Sequence, residues 1–243
     1  MHQKTFGKRL MSSISVICSV YNSAEWLPRY LEAVNNQFES NFQIVFVDAN
    51  STDNSVKLIK DFDFRDGIDV KIIEKEDRIT IYAAWNLAIR ESSGKYIMNW
   101  NTDDLIYPSG IQIYNNYTKK FPQSDFFYSP CFMIGSQNFD NITGLRNWPE
   151  YSHEILLHLC FGGPFPLVKK SAIEKCGFFK EEYLSSGDYE MWLNLSSNGF
   201  KFTKIPEIVG CFYHRENSVS VKNLSKAQEE DKKIQEFYKR HEH

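Results

Sequence analysis

No run in the 243 residues is apolar for long enough to span a bilayer, and the basic N-terminus leads into a short strand-like run instead of a long apolar h-region. Neither a signal peptide nor a transmembrane helix is therefore expected, and any membrane contact would be peripheral. Charge of a single sign is missing too: 28 Lys and Arg stand against 31 Asp and Glu, a net −3. That balance supplies no broad positive field, so nucleic acid is not an expected partner. The five cysteines, Cys18, Cys131, Cys160, Cys176 and Cys211, form no C-x-x-C pair and sit among apolar neighbours. They read as reduced, buried thiols of a cytoplasmic protein. Glycine is absent where phosphate loops need it. Ser19-Val20-Tyr21-Asn22-Ser23 has none, which leaves a sugar-phosphate nucleotidyltransferase as a low-ranked alternative, and no G-x-G-x-x-G follows any predicted strand, which sets aside a dinucleotide dehydrogenase. No internal repeat or low-complexity segment is present.

What is present is enough apolar material, 42% of residues, for one large core. Aromatics reach 15%, with 19 Phe and 13 Tyr, most of them read as core and some available as platforms for flat rings and sugars. The first half alternates short β-branched runs with amphipathic stretches, the pattern of a parallel βαβ sheet. Strands are expected at Ile14–Val20, Gln43–Val47, Val70–Ile73 and Tyr96–Trp100. Between them lie helices marked by Leu27, Tyr30, Leu31 and Val34, by Val56 and Ile59, and by Ile81, Trp85, Ala88 and Ile89. Asn22 or Ser23 is the expected cap of the first helix and Ser51 or Thr52 of the second, and Gly94 is expected to end the third. The second half is less regular. Pro108 can open a helix, Phe126–Met133 reads as a strand, Gly162–Pro166 as a turn, Gly187–Leu195 as a helix and Ile208–Tyr213 as a strand. A charged helix from Leu224 to Arg240 carries Ile234, Phe237 and Tyr238 as a small apolar stripe that is expected to pack on the body.

Ligands of open α/β sheets bind outside the carboxyl ends of the strands, so Tyr21, Asp48 and the Asp103–Asp104 pair are expected to converge on one crevice. Adjacent carboxylates suit a hard divalent cation that takes further ligands from phosphate, although an acidic pair is also an ordinary solvated turn. Asp48 precedes a turn and could accept from a nucleobase N–H. Tyr21 could stack on that base or belong to the core. Asp188, at the start of a helix anchored by Met191, Trp192 and Leu195, is either an N-cap or a rigidly held general base. The loop-rich stretch Met133–Phe165, with Trp148, His153 and Glu154, is expected on the acceptor side of the crevice.

The ordered set Ser15-Val16-Ile17-Cys18-Ser19-Val20-Tyr21-Asn22, Val47-Asp48-Ala49-Asn50-Ser51-Thr52-Asp53, Trp85-Asn86 with Ser93-Gly94-Lys95-Tyr96-Ile97, Asn101-Thr102-Asp103-Asp104, Cys176-Gly177-Phe178-Phe179 and Gly187-Asp188-Tyr189-Glu190-Met191-Trp192 resembles the family-2 inverting glycosyltransferases. The likeness runs over roughly residues 13–220. It implies one α/β domain of the glycosyltransferase-A fold, a Rossmann-like, mostly parallel sheet flanked by helices. Residues 13–105 would form the nucleotide-sugar half, 106–220 the acceptor and catalytic half, and 221–243 a C-terminal helix. The resemblance further implies a nucleotide diphosphate sugar donor, usually a uridine or thymidine one, and Mn²⁺ or Mg²⁺. The acceptor it implies is a saccharide or lipid-linked saccharide of bacterial surface polysaccharide synthesis. By position, Tyr21 and Asp48 would meet the base, Asp103 the ribose and Asp104 the metal, and Asp188 would activate the acceptor. His214 or Arg215, in Cys211-Phe212-Tyr213-His214-Arg215, would contact metal or phosphate. Three positions depart from the family pattern: Ala49 where a second acid is frequent, Asn101 where Asp is common, and Gly187 where Glu often precedes the base. The rival to an enzyme is a nucleotide-sugar-binding module without turnover. Retention of Asp48, Asp103, Asp104 and Asp188 together argues against it, and donor hydrolysis would discriminate.

Overall fold

The computed structural model describes residues 13–135, 141–213 and 224–241. Along the first half run β1 (Ile14–Val20), α1 (Leu27–Asn35), β2 (Gln43–Asp48), α2 (Ser55–Asp61), β3 (Asp69–Glu74), α3 (Ile81–Glu91) and β4 (Tyr96–Asn99). There follow β5 (Leu105–Ile106), α4 (Gly110–Lys120), β6 (Phe126–Tyr128), β7 (Cys131–Ile134), β8 (Ile142–Arg146), α5 (His153–Leu156) and β9 (Leu167–Lys169). The chain continues through α6 (Lys170–Lys175), α7 (Gly187–Ser197), β10 (Phe202–Lys204), β11 (Gly210–Tyr213) and α8 (Leu224–Arg240).

Seven strands form one sheet in the order β10-β6-β9-β4-β1-β2-β3, with β4, β1, β2 and β3 mutually parallel and β9 antiparallel to both its neighbours. The chain therefore lays β2 and β3 to one side of β1 and then returns to place β4 on the other. That reversal at β1 is the topological switch point at which an open α/β sheet leaves a crevice. A four-stranded sheet, β5-β11-β7-β8, sits beside the large one. Strands from both sides of residue 105 share the large sheet.

Alternation along the strands divides the core. Val16, Cys18, Val20, Ile44 and Phe46 face Tyr30, Leu31, Trp100 and Tyr114, while Ile17, Val45 and Val47 face Trp85, Ala88 and Ile89 of α3. That second face also carries Tyr189, Met191 and Trp192 of α7 and Ile234 and Tyr238 of α8. Both faces of β1 and β2 are buried, as central parallel strands require. No helix among the described residues is long and apolar enough to cross a membrane.

Several local expectations are corrected. The strand expected over Phe126–Met133 is two strands, because Pro130 has no N–H to donate and the chain passes there from the large sheet to the small one. Neither Asn22 nor Ser23 caps α1, whose N-cap is Trp26, and the N-cap of α2 is Asn54 instead of Ser51 or Thr52. Those residues instead tie the segments after β1 and β2 together: Asn22 Oδ1 accepts from the Thr52 backbone N–H at 2.8 Å, and the Ser23 backbone N–H donates to Ser55 Oγ at 2.7 Å. Gly94 does not cap α3, which ends at Ser92. It is small because β1 passes so close that a Cβ there would lie 2.6 Å from Ser15 N.

Candidate active site

Strand register assembles the first part of the site. Asp48, the last residue of β2, pairs level with Val20, and Trp100 N–H donates to Ile17 O, so the residues after β4 start out beside the last residues of β1. Tyr21, Asp48 and Asn101–Asp104 thus share one edge of the sheet. Asp48 is 3% exposed, and its Oδ2 accepts Ser51 N–H at 3.0 Å while its Oδ1 is buried with no donor. A buried carboxylate oxygen without a partner is costly, and this one can accept an N–H. Tyr21 is 42% exposed, which removes it from the core. The Arg78 guanidinium lies 3.5 Å from the centre of its ring.

Asp104 is buried immediately before β5, where the chain passes from the large sheet to the small one, and Tyr213 N–H, at the end of β11, donates to its Oδ1 at 3.3 Å. Trp100 Nε1–H holds the Asp104 carbonyl at 3.2 Å, so the turn after β4 is fixed from beneath. Burial lowers the Arg29 pKa, against the opposing pull of Cys211, Asp103 and Asp104 nearby. Among the described residues no cluster of three or more His, Cys, Asp or Glu side chains could hold a metal by itself. A carboxylate pair at a strand end does fit Mg²⁺ or Mn²⁺, which keeps waters and draws its other ligands from a diphosphate. His214 and Arg215 lie outside the described residues.

Asp188 occupies the second position of α7, and the N-cap is Ser186, so the simple N-cap reading of Asp188 is replaced. Its Oδ1 accepts Tyr189 N–H at 2.9 Å and the Tyr82 hydroxyl at 3.4 Å. Burial is the main cause that pushes its carboxyl up to about 6, helped by the like charge of Asp231 and opposed by these two donors. Gly187 permits this arrangement: a Cβ there would stand 2.7–2.9 Å from the Tyr82 ring, so the position that often holds Glu is filled by a tyrosine from α3. Tyr82 comes four residues after Arg78 in the chain. Since extended chain covers at most about 3.6 Å per residue, the Cα atoms of Arg78 and Tyr82 lie within about 14 Å of one another. Tyr82 thus connects Asp188 to the segment that carries Arg78, the residue stacked on Tyr21.

Glu190, the other acid in the first turn of α7, points away from the crevice. It is 1% exposed, with Lys180 Nζ at 2.8 Å and the Tyr238 hydroxyl donating to it at 2.8 Å. His153 is bonded to Ser196 at 2.5 Å, at the opposite end of α7 from Asp188. In the same stretch, Cys160 lies near enough to Asp188 for that charge, after burial, to raise its thiol pKa. Sequence reasoning missed Arg78, Tyr82 and Glu230. Arg78 and Tyr82 flank the start of α3 but belong to no spacing pattern, and Glu230 looks like one more charge on a solvated helix.

The family model of glycosyl transferase family 2 matches residues 15–150. The chain is 26% identical over 228 residues to chondroitin synthase of Escherichia coli, covering 91% of this chain and 32% of that protein. It is 27% identical over 218 residues to chondroitin synthase of Pasteurella multocida, covering 87% and 22%. The chain thus spans about a third or less of these two synthases. An uncharacterized glycosyltransferase of Haemophilus influenzae is 27% identical over 231 residues, with 93% of this chain and 76% of that protein covered. Among solved structures, Staphylococcus aureus TarS 1-349 in complex with UDP-GlcNAc aligns with a TM-score of 0.71 at 18% identity, over 85% of this chain and 60% of that one. The mannosyltransferase PcManGT of Pyrobaculum calidifontis, in complex with GDP-Man and Mn²⁺, gives 0.69 at 16%, over 90% and 62%. At these identities the two structures speak to the fold, which is the expected mostly parallel α/β architecture.

Proposed function

The chain belongs to glycosyl transferase family 2, and from that premise we propose that it moves a sugar from a uridine diphosphate donor to an acceptor hydroxyl with inversion at the anomeric carbon. The observation that carries the donor half of this reading is Asp48 Oδ1, buried and without a donor at the end of β2 beneath an exposed tyrosine. A uracil ring presents one N–H beside carbonyl groups and a flat face, which suits that oxygen and the Tyr21 ring. Asp103 accepts from the ribose. Arg78, with its fixed positive charge above Tyr21, is placed to meet the diphosphate as it enters.

On the acceptor side, Asp188 removes the proton of the attacking hydroxyl. The acceptor oxygen bonds to the anomeric carbon as the bond from that carbon to the diphosphate oxygen breaks, and the proton stays on the Asp188 carboxylate. A base whose pKa is lifted to about 6 is stronger than an ordinary aspartate and is still ionised at neutral pH. The Tyr82 hydroxyl orients it. A Mn²⁺ or Mg²⁺ ion held by Asp104 would supply Lewis-acid neutralisation of the departing diphosphate. Polysaccharide synthesis is the setting favoured by the similarity to the two chondroitin synthases, and a saccharide or lipid-linked saccharide acceptor met at the inner face of a membrane belongs to the same proposal.

Calorimetric titration with UDP, with and without Mn²⁺, tests the donor site. UDP is expected to bind more tightly with the metal, and Asp48→Ala to weaken it by about 10- to 100-fold, the worth of a hydrogen bond to a charged group. Affinity unaffected by chelator in both the wild type and Asp104→Ala would remove the metal from Asp104. Affinity unchanged in Asp48→Ala would remove the base from Asp48.

A further inference from the structure

The C-terminal helix α8 lies beyond the residues matched by the family model, and one of its acids has no role in the chemistry above. Glu230 is 7% exposed. Its carboxylate collects three consecutive backbone donors from the segment that enters α7: Leu184 N–H on Oε1 at 2.9 Å, and Ser185 and Ser186 N–H on Oε2 at 3.0 Å each. The Ser186 hydroxyl donates to Ala227 O at 3.3 Å, one turn earlier on α8. A carboxylate with three N–H donors is far stronger than a surface contact, and it lies at the helix end where negative charge is favoured. The last of these donors belongs to the N-cap of α7, two residues before Asp188.

We propose that Glu230 is a positioning residue for Asp188: from α8 it fixes the backbone that enters α7 and so sets where the Asp188 carboxylate stands in the crevice. The proposal rests on the reading of Asp188 as the base. The charged and titratable groups that face Asp188 are Tyr82 from α3, Cys160 from the loop before β9, and Asp231 from α8. Asp231 follows Glu230 directly and lies close enough to the Ser186 side chain for it to favour the ionised form, although burial raises its pKa overall. Both neighbouring acids of α8 thus bear on one helix start. Glu230 acts through backbone geometry and Asp231 through charge.

The test uses the whole chain and three variants, Glu230→Gln, Glu230→Asp and Glu229→Gln. Gln keeps the shape but turns an NH₂ group toward donors, so at least one of the three bonds is lost. Asp keeps the charge but withdraws it by one methylene. In both, amide exchange at Leu184–Ser186 is expected to accelerate by about tenfold or more, following the loss of a protecting bond. Carbon-13 titration should show the Asp188 midpoint falling from about 6 toward the ordinary aspartate value, while the Kd for UDP with Mn²⁺ stays within twofold. The shift in Glu230→Asp separates position from charge, because no charge is removed. Glu229→Gln, an exposed neighbour paired with Lys233, should leave all three readings unchanged. An unaltered exchange rate or midpoint in the Glu230 variants, or an equal shift in Glu229→Gln, would overturn the role. The base reading is tested apart, by sugar transfer in Asp188→Asn. Normal transfer there overturns that reading and this role together, whereas lost transfer with an unmoved Glu230→Gln midpoint overturns only the role of Glu230.

Discussion

Replacing Asp188 by Asn separates catalysis from stability, and the structure predicts that the two move in opposite directions. Asn keeps an oxygen for the Tyr189 N–H and the Tyr82 hydroxyl, so the start of α7 retains both bonds. What it removes is a charge that burial disfavours. The carboxyl has a value of 3.8 in the free chain and about 6 in the folded protein. The folded state therefore binds more protons between those values, and wild-type stability declines as pH rises from about 4 to about 6 and then levels off. At 1.36 kcal/mol per pKa unit, holding the ionised group costs the folded state about 3 kcal/mol at pH 8 and about 1.5 kcal/mol at pH 5. Asp188→Asn should accordingly unfold at higher denaturant concentration than the wild type, with an advantage about twice as large at pH 8 as at pH 5. Sugar transfer should fall by about two to four orders of magnitude, because the amide accepts no proton. UDP affinity should persist, since Asp48, Asp103 and Asp104 are untouched. The paired assay is urea denaturation at the two pH values and transfer rate at matched Mn²⁺. A variant no more stable than the wild type at pH 8 would refute the desolvated carboxylate, and near-normal transfer would refute the base.

Tyr82→Phe removes a donor that favours the ionised form of Asp188, so the Asp188 pKa should rise above its present value of about 6 and the acid limb of the pH–rate profile should move to higher pH. An unmoved acid limb would detach Tyr82 from the base. Gly187→Ala places a methyl group 2.7–2.9 Å from the Tyr82 ring and should destabilise the protein. The expected loss is about 1–3 kcal/mol in urea denaturation, the range for overpacked sites, and wild-type stability would mean that the ring moves freely aside.

The donor side of the crevice was legible because it is built by local rules. Runs such as Ile14–Val20 and Gln43–Val47 announce buried strands, parallel strands end together, and whatever follows them meets at one edge. Asp48 and the Asp103–Asp104 pair could be placed from spacing for that reason. Expectations failed where the outcome hung on distant partners. Asn22, Ser23, Ser51 and Thr52 have the chemistry of helix caps, yet they are used to stitch two loops, an option that opens only once β1 and β2 lie side by side. β9 escaped notice because three residues, Leu167–Lys169, are too few to show a period, although they lie in the middle of the large sheet. Arg78 and Tyr82 were invisible because their partners, Tyr21 and Asp188, lie far off in sequence.

The same contrast explains why the base side is costlier to build than the donor side. A strand end delivers a carboxylate through backbone pairing that the sheet needs in any case. Asp188 instead needs a helix start held in a setting dry enough to raise its pKa, and no single element supplies that. Tyr82 fills the space that Gly187 leaves, Cys160 and Tyr189 lie close to it, and Glu230 takes up three N–H groups of the entering segment, of which that of Ser186 is buried. Tyr82, Cys160 and Glu230 each join the start of α7 to a different part of the chain. Small changes at Tyr82, Gly187 or Glu230, none of which has to touch a substrate, should therefore alter transfer more than donor binding, whereas changes at Asp48 or Asp104 should do the reverse.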